Sequence, residues 1–266
     1  MDKTIQFCGS EIHYSKTGNG DPVMLVHGFA EDSRIWDDLV TVLKEKYQLI
    51  IPDIPGSGRS EMLEQDIVSM DDYAACIKAI LDAEQLTSVI IIGHSMGGYI
   101  TLAFAEKYPE LLRSLGLFHS SAYADDDEKK ETRKKAIGFI RQNGPMAFLR
   151  TSIPGLFRDP EKSHTEIEGL LKKGESFSGR ALIQYYEAMI ARPDRTDILK
   201  YPGIPFLFIM GVYDKAVPFQ LSLKQSQLPD HSYVYILRES AHMGMLEETD
   251  RCSKILRDFL QDVYRN

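Results

Sequence analysis

The sequence has few cysteines, no long apolar run and no targeting signal at its start. Its three cysteines, Cys8, Cys76 and Cys252, lie far apart, lack the spacing of metal ligands and cannot all pair, which favours a reducing compartment. No uninterrupted apolar run is long enough to span a bilayer, and the opening "MDKTIQFCGSEIHY" lacks the basic and apolar regions of a signal peptide. We therefore expect a cytoplasmic protein that does not act at a membrane.

Basic charge is also scarce, because 39 acidic residues outnumber 31 lysines and arginines and give a formal net charge of -8. A nucleic-acid-binding surface usually carries a clustered excess of lysine and arginine, so no nucleic-acid partner is expected. One local basic stretch, Lys129 to Lys135, follows a run of acidic residues and includes Glu131. We interpret this stretch as a solvated helix face.

Short apolar runs alternate with helical patterns through most of the 266 residues. Two β-like stretches, residues 4–8 and 11–16, are separated by Gly9-Ser10 and predict a hairpin. Buried strands follow at "PVMLVHG", "YQLIIPD", "VIIIG", "RSLGLF", "IPFLFIMG" and "SYVYILRES", and helices are expected from Ser33, over residues 71–86, after Met96 and at the end of the chain. This order predicts an α/β fold, in which a mostly parallel sheet is flanked by helices and entered through an antiparallel edge hairpin.

The alternation stops between about His119 and Tyr201, where helical patterns are separated by "NGP", "IPG", "RDP" and "FSG". We therefore expect one core formed by residues 1–119 and 202–266, with residues 120–201 as an all-helical cap inserted between two strands. The cap is expected to lie over the carboxyl edge of the sheet, where the reactive groups of open parallel sheets gather.

The stretch "VIIIGHSMGG" places Ser95 between a buried strand and a helix. Gly93 and Gly97 flank Ser95 where the strand and the helix must approach closely and the backbone of the turn is strained. This G-x-S-x-G pattern presents a serine hydroxyl at the carboxyl edge of a sheet, next to the N-terminus of the following helix. Ser95 is therefore the candidate nucleophile.

A serine hydroxyl is a weak nucleophile at neutral pH and needs a base, which a carboxylate usually orients. Asp214 lies on the loop after "IPFLFIMG", and His242 lies on the loop after "SYVYILRES". Both loops leave the carboxyl ends of strands, so we predict a triad in which Ser95 attacks an acyl carbon, His242 transfers the proton and Asp214 holds the imidazole. Asp125, which follows an earlier strand, is the alternative acid.

Two backbone N–H groups are the predicted oxyanion-hole donors. Met96 starts the helix after Ser95, and Phe29 follows the sharp turn at His27-Gly28. Removing one such donor can cost about 3 kcal/mol of transition-state stabilisation.

The substrate-binding residues are predicted from the neighbourhood of these loops and from the aromatic side chains of the cap. His94 adjoins Ser95 and is expected to act chiefly as a packed support of the site. The full predicted set is Phe29, His94, His119, Phe139, Phe148 and Tyr185. Apolar and aromatic side chains of this kind commonly line small-molecule pockets.

The segments "HGFAEDSRIW", "DIPGSGRS", "GHSMGG", "GVYDKAVP" and "SAHMGMLEE" follow the order of landmarks of the α/β-hydrolase superfamily, which the whole chain resembles. The resemblance implies the α/β-hydrolase fold with an eight-stranded sheet and a helical cap, and it implies neither a cofactor nor a metal. Ser95 differs from the nucleophilic aspartate of haloalkane dehalogenases and epoxide hydrolases. "HGFAED" lacks the glycine-rich loops of proline iminopeptidases and carbon-carbon bond hydrolases, so the chain looks most like small esterases and lactonases.

The resemblance therefore implies a carboxylesterase-like serine hydrolase that cleaves a small carboxylic ester through an acyl-enzyme, as a monomer or homodimer. Lactones, thioesters and carbon-carbon bonds are alternative targets of the same triad. A small-molecule receptor is a further alternative, because similar folds with an intact triad serve as receptors.

Overall fold

The computed structural model describes residues 1–265, and its strands form one eight-stranded sheet of order β1-β2-β4-β3-β5-β6-β7-β8. β1 pairs antiparallel with β2, β2 pairs antiparallel with β4, and the remaining neighbours are parallel. The strands are β1 Asp2–Phe7, β2 Ser10–Thr17, β3 Asp21–Val26, β4 Tyr47–Pro52, β5 Val89–His94, β6 Leu112–Phe118, β7 Phe206–Gly211 and β8 Ser232–Leu237. This arrangement confirms the predicted fold class.

The edge hairpin turns one residue earlier than the sequence predicted. Its two turn residues are Cys8 and Gly9, with φ of 49° and 87°, rather than Gly9 and Ser10. Positive φ at both positions is the geometry of the two-residue turns that match the twist of a hairpin. β1 alternates in exposure because it is an edge strand, whereas β5, in the middle of the sheet, is buried at every residue.

Helices cover both faces of this sheet or lie within the segment between β6 and β7. They are α1 Asp37–Leu43, α2 Met70–Ala83, α3 Met96–Lys107, α4 Asp127–Asn143, α5 Pro145–Ser152, α6 His164–Gly174, α7 Gly179–Ala191, α8 Phe219–Gln225, α9 Gly244–Glu247 and α10 Thr249–Arg265. The helix predicted from Ser33 begins as a 3-10 turn, Ser33–Trp36, before α1. α8 and α9 were not predicted, because each is shorter than the window over which helical periodicity can be read.

The chain leaves the sheet after β6 and returns at β7, which pairs directly with β6 through Leu115 and Phe206. Residues 120–201, which we call the helical insertion, contain α4 to α7 and no strand in the structure. The insertion is tied to the strand-bearing part of the chain by the Tyr185 hydroxyl, which donates a 2.7 Å hydrogen bond to the carbonyl of Pro55. The division into a core and a cap at residues 119 and 202 stays a prediction.

No helix within residues 1–265 is both long enough and apolar enough to cross a membrane.

Candidate active site

Ser95 lies on a strained turn between β5 and α3. Its φ of 49° and ψ of -115° lie outside the conformations that non-glycine residues usually adopt, and its amide donates to the carbonyl of Phe118 at 2.9 Å. A Cβ placed on Gly93 would lie 2.4 Å from the backbone of Gly97, so glycine is required where the strand meets the helix. The sequence therefore folds locally into a turn that holds the serine at the carboxyl end of β5.

Asp214 and His242 meet at the carboxyl ends of β7 and β8. Nδ1 of His242 and Oδ2 of Asp214 are 2.8 Å apart, and both side chains are buried. Oδ1 of Asp214 accepts N–H groups from Ala216 and Val217 at 2.9 and 2.8 Å. Burial opposes ionisation of Asp214, but His242, these amides and His119 outweigh it and hold the pKa of Asp214 well below its usual value. The arrangement leaves Nε2 as the ring nitrogen of His242 that can accept a proton.

His119 is a second histidine against the same carboxylate. Its Nε2 accepts the amide N–H of Gly244 at 3.2 Å, so its proton lies on Nδ1. Nδ1 is 3.2 Å from Oδ2 of Asp214, in an orientation poorer than that of a regular hydrogen bond. Burial lowers the pKa of His119 to about 4, against the opposing effect of Asp214. His119 therefore contacts Asp214, the predicted triad acid, as a neutral ring.

His94 is buried behind the turn rather than at the surface of the site. Its Nδ1 is 2.9 Å from Oε2 of Glu31, and its Nε2 is 3.0 Å from the backbone carbonyl of His242. The same Glu31 oxygen accepts the amide of Gly28 at 2.6 Å. His94 thus joins the loop after β3 to the loop that carries His242.

The two amides predicted to bind an oxyanion are free of backbone partners. The Met96 N–H belongs to the first residue of α3 and has no acceptor within the helix. Within residues 1–265, the Phe29 N–H donates no hydrogen bond. A Cβ on Gly28 would lie 3.1 Å from Cβ of Ser95, which shows how closely the loop before Phe29 packs against the serine.

Two neighbouring cavities share the lining residues Phe29 and Tyr186, and Ser95 lines one of them. One has a volume of about 170 Å³ and is lined by Ser95, His242, Phe29, Glu31, Tyr99, Lys129, Arg133, Leu156, Tyr186, Met189, Ala216 and Val217. The other has a volume of about 90 Å³ and is lined mainly by apolar side chains, among them Phe148, Leu149, Ile153, Leu170 and Met243. The site thus has a polar chamber that holds the serine and histidine, and an apolar chamber beside it.

The structure places only some of the predicted substrate-binding residues at these cavities. Phe29 and Phe148 line them. His94 and His119 lie behind the site, and Tyr185 is fully buried beside Pro55. Phe139 is 39% exposed on the outside of α4 and does not face either cavity.

The basic stretch of α4 is not simply a solvated face, which corrects the sequence interpretation. Lys129 and Arg133, four residues apart, face the polar chamber, while Lys134 and Lys135 on the same helix are exposed. The i, i+4 spacing indicates that the two residues share a face, but the sequence does not show that this face meets Ser95. Tyr99 and Glu31 also line the chamber and were not predicted.

Asp125, the alternative acid, is occupied by two arginines. Its Oδ2 accepts from Nε of Arg133 at 2.6 Å, and its Oδ1 accepts from Nη2 of Arg192 at 2.9 Å. Burial opposes its ionisation, but the two guanidinium groups outweigh burial and lower the pKa of Asp125. The structure brings Asp214, and not Asp125, to His242.

One cluster of side chains has the donors that a metal ion would need. His119, Asp214 and His242 offer ligand atoms within 4.8 Å of one another. Both imidazoles direct Nδ1 at Asp214, and a ring nitrogen must lose its proton before it can bind a metal. Hydrogen bonding within the cluster therefore explains its geometry without a cation.

A family model described as the alpha/beta hydrolase fold matches residues 21–134. The matched part includes Ser95, Phe29 and Met96 and ends before Asp214 and His242. The remainder of the chain is covered by the similarity to individual proteins.

Two curated relatives and one solved structure cover nearly the whole chain. The chain is 26% identical over 261 residues to a pimeloyl-[acyl-carrier protein] methyl ester esterase of Legionella pneumophila strain Corby, covering 94% of this chain and 99% of the relative. It is 23% identical over 260 residues to a 2-hydroxy-6-oxo-2,4-heptadienoate hydrolase of Pseudomonas putida, covering 95% of this chain and 93% of the relative. A thermophilic esterase from Thermogutta terrifontis superposes with a TM-score of 0.91 and 28% identity, over 99% of each chain.

Proposed function

The chain belongs to the α/β-hydrolase superfamily and is a hydrolase of that fold, and on this premise we propose that it is a serine hydrolase that cleaves small carboxylic esters. The observation that carries the proposal is the 2.8 Å contact between His242 Nδ1 and Asp214 Oδ2, at a cavity that Ser95 and His242 both line. A base oriented by a buried carboxylate beside a serine on a strained turn is the arrangement that acyl transfer needs.

In the proposed reaction, Nε2 of His242 removes the hydroxyl proton of Ser95 as the serine oxygen attacks the acyl carbon. Asp214 stays ionised and stabilises the imidazolium that forms, because the groups around it hold its pKa low. The N–H groups of Phe29 and Met96 donate to the negative carbonyl oxygen of the tetrahedral intermediate. His242 then gives its proton to the leaving alcohol, and the acyl group remains on Ser95.

Deacylation repeats these steps with water as the nucleophile. His242 removes a proton from the water as the water attacks the acyl carbon, and the second tetrahedral intermediate then releases the carboxylic acid as His242 returns the proton to the Ser95 oxygen. The apolar chamber beside the site favours a short apolar group on one side of the scissile bond. The proposed substrate is therefore a small ester rather than a polymer.

The test is steady-state hydrolysis of p-nitrophenyl esters from acetate to decanoate by the wild type and the Ser95→Ala variant, together with labelling by a fluorophosphonate probe. We expect multiple turnovers and probe labelling in the wild type. In the variant we expect kcat to fall by about 10⁴-fold or more and labelling to be lost. Labelling that persists in the Ser95→Ala variant would show that another residue is the nucleophile. Activity is expected to survive EDTA.

Lactone, thioester and carbon-carbon bond cleavage are alternatives within the same machinery. Because the chain is similar to the Pseudomonas putida hydrolase, assays of carbon-carbon bond cleavage should accompany the ester assays. A receptor role would be indicated by labelled Ser95 without turnover of any ester. Cytoplasmic localisation, a monomeric or homodimeric state and the lack of a cofactor stay predictions from the sequence.

A further inference from the structure

Part of the wall of the polar chamber that holds Ser95 is basic. Lys129 and Arg133 project from successive turns of α4 and line the chamber together with Ser95 and His242. Arg192, from the residue after α7, lies beside them, with its guanidinium carbon 3.8 Å from the centre of the Tyr99 ring. This cluster of three cations, which we call the basic wall, belongs to a protein whose net charge is -8.

The basic wall carries more positive charge than its acidic partner neutralises. Asp125 is the carboxylate between Arg133 and Arg192. Lys129 Nζ donates to the backbone carbonyl of Ala216 at 2.9 Å, and no carboxylate within residues 1–265 forms an ion pair with it. Three cations therefore share one carboxylate.

The remaining carboxylate of the chamber does not neutralise this excess. Glu31 lines the chamber, but its Oε2 accepts hydrogen bonds from His94 Nδ1 at 2.9 Å and from the Gly28 amide at 2.6 Å. Glu31 and His94 thus balance one another's charge. A partly buried cationic excess favours an anionic ligand more strongly than an exposed one, because solvent screens it less.

The chamber also offers unused hydrogen-bond donors. Tyr99 is 3% exposed and lines the chamber, and its hydroxyl has no protein partner among residues 1–265. Burial raises the pKa of Tyr99, but Arg192, Lys129 and Arg133 outweigh burial and lower it, which reflects the positive potential of this wall. Lys129 has one ammonium hydrogen on Ala216 and Arg133 uses Nε and Nη2 on Asp125, so both retain N–H groups.

We propose that the basic wall binds the carboxylate of the substrate, so that the preferred substrates are small esters with a free carboxylate a few bonds from the scissile carbonyl. The inference rests on the proposed esterase function and narrows it to half-esters of dicarboxylic acids and similar anionic esters. Lys129 and Arg133 hold the carboxylate, and Tyr99 donates its hydroxyl to it. The basic wall is thus the specificity-determining part of the site.

The matched probes are monomethyl glutarate and methyl 5-oxohexanoate, which differ in a terminal carboxylate against a methyl ketone of nearly the same size. Hydrolysis is followed in a pH-stat, because a methyl ester leaves no coloured product. We expect the wild-type kcat/KM for monomethyl glutarate to exceed that for the ketoester by about 10- to 100-fold, as charge-assisted hydrogen bonds provide. The ratio is expected to fall several-fold in Lys129→Met and to approach about one in Lys129→Met/Arg133→Met.

Lys134→Met is the matched control, because it removes one charge from the exposed side of α4, where Lys134 pairs with Glu131. It is expected to leave the ratio unchanged. A wild-type ratio near one, or a ratio that does not respond to Lys129→Met/Arg133→Met, would overturn the inference while leaving esterase activity established by the p-nitrophenyl series.

A binding arm separates the inference from the proposed reaction. The Ser95→Ala variant is titrated with each methyl ester by calorimetry, so that no turnover is required. Tighter binding of monomethyl glutarate, lost when Lys129→Met is added to Ser95→Ala, supports the basic wall even if the wild type hydrolyses no ester. Equal binding of the two probes to Ser95→Ala contradicts it.

Discussion

Oε2 of Glu31 lies 2.9 Å from Nδ1 of His94, and both side chains are buried beneath the turn that carries Ser95. The second nitrogen of the ring also faces an acceptor, the backbone carbonyl of His242 at 3.0 Å. An imidazole that donates from both nitrogens is an imidazolium. Burial disfavours this charge, but Glu31 outweighs burial and raises the pKa of His94 above its ordinary value. The pair is therefore a buried ion pair that positions the His242 loop.

Glu31→Gln should remove the charge that keeps His94 protonated. We expect His94 to be doubly protonated at pH 7.5 in the wild type and neutral in the variant, as measured by nitrogen-15 NMR of the imidazole. Because the variant loses the ion pair that joins the loop after β3 to the loop of His242, we expect kcat to fall about 10-fold with a smaller change in KM, since small displacements of catalytic groups are costly. A neutral His94 in the wild type at this pH would contradict the ion pair.

The triad acid is tested by comparing Asp214→Asn with Asp125→Asn. Asp214→Asn should reduce kcat on p-nitrophenyl acetate by about 10²- to 10⁴-fold, because the amide cannot stabilise the imidazolium of His242. Asp125→Asn should chiefly lower stability, since it leaves Arg133 and Arg192 without their carboxylate. Urea unfolding and steady-state rates measured on both variants separate the two roles. If Asp125→Asn is the more damaging to kcat, the assignment of Asp214 is wrong.

Local sequence patterns were sufficient to predict the elements that position Ser95, the proposed nucleophile. The apolar run of β5, the glycines at 93 and 97 and the buried first turns of α3 each depend on a few neighbouring residues, so the turn at Ser95 could be predicted directly. Asp214 and His242 are distant in sequence, but the rule that reactive loops leave the carboxyl ends of parallel strands places both. The structure brings these two side chains together.

Packing between distant segments could not be predicted in the same way. Which face of α4 meets the polar chamber depends on how the helical insertion docks, and this decides that Lys129 faces the chamber while Phe139 is exposed. The contact of His119 with Asp214 requires two loops to close to within 3.2 Å. Such contacts depend on tertiary packing and leave no periodic pattern in the sequence.

Phe29→Ala should join the two chambers, because the Phe29 ring lines both and packs against Tyr186 at 4.4 Å between ring centres. The backbone N–H of residue 29 remains, so the proposed oxyanion-hole donor is retained. We expect the preferred acyl chain in the p-nitrophenyl series to lengthen, with a loss of stability of about 1–3 kcal/mol for the half-buried ring. Phe139→Ala removes a ring from the exposed side of α4 and is the control, in which the preference should not change. An unaltered preference in Phe29→Ala would show that the apolar chamber does not receive the acyl group.

His119→Gln tests whether the second histidine on Asp214 is neutral. The folded-state pKa of His119 is about 4, below the value of about 6.5 for an unfolded histidine. Between these values the unfolded chain binds a proton that the folded protein does not, so the contribution of His119 to stability is complete above about pH 6.5 and is lost as the pH falls toward 4.

Glutamine does not titrate, and the stability advantage of the wild type over His119→Gln should therefore shrink between pH 7.5 and pH 5. Urea unfolding of both proteins at several pH values measures the difference in their free energies of unfolding. The other titrating groups are common to both proteins, so their contributions largely cancel in that difference. An advantage that grows on acidification would mean that His119 is protonated in the folded protein and pairs with Asp214 as a cation.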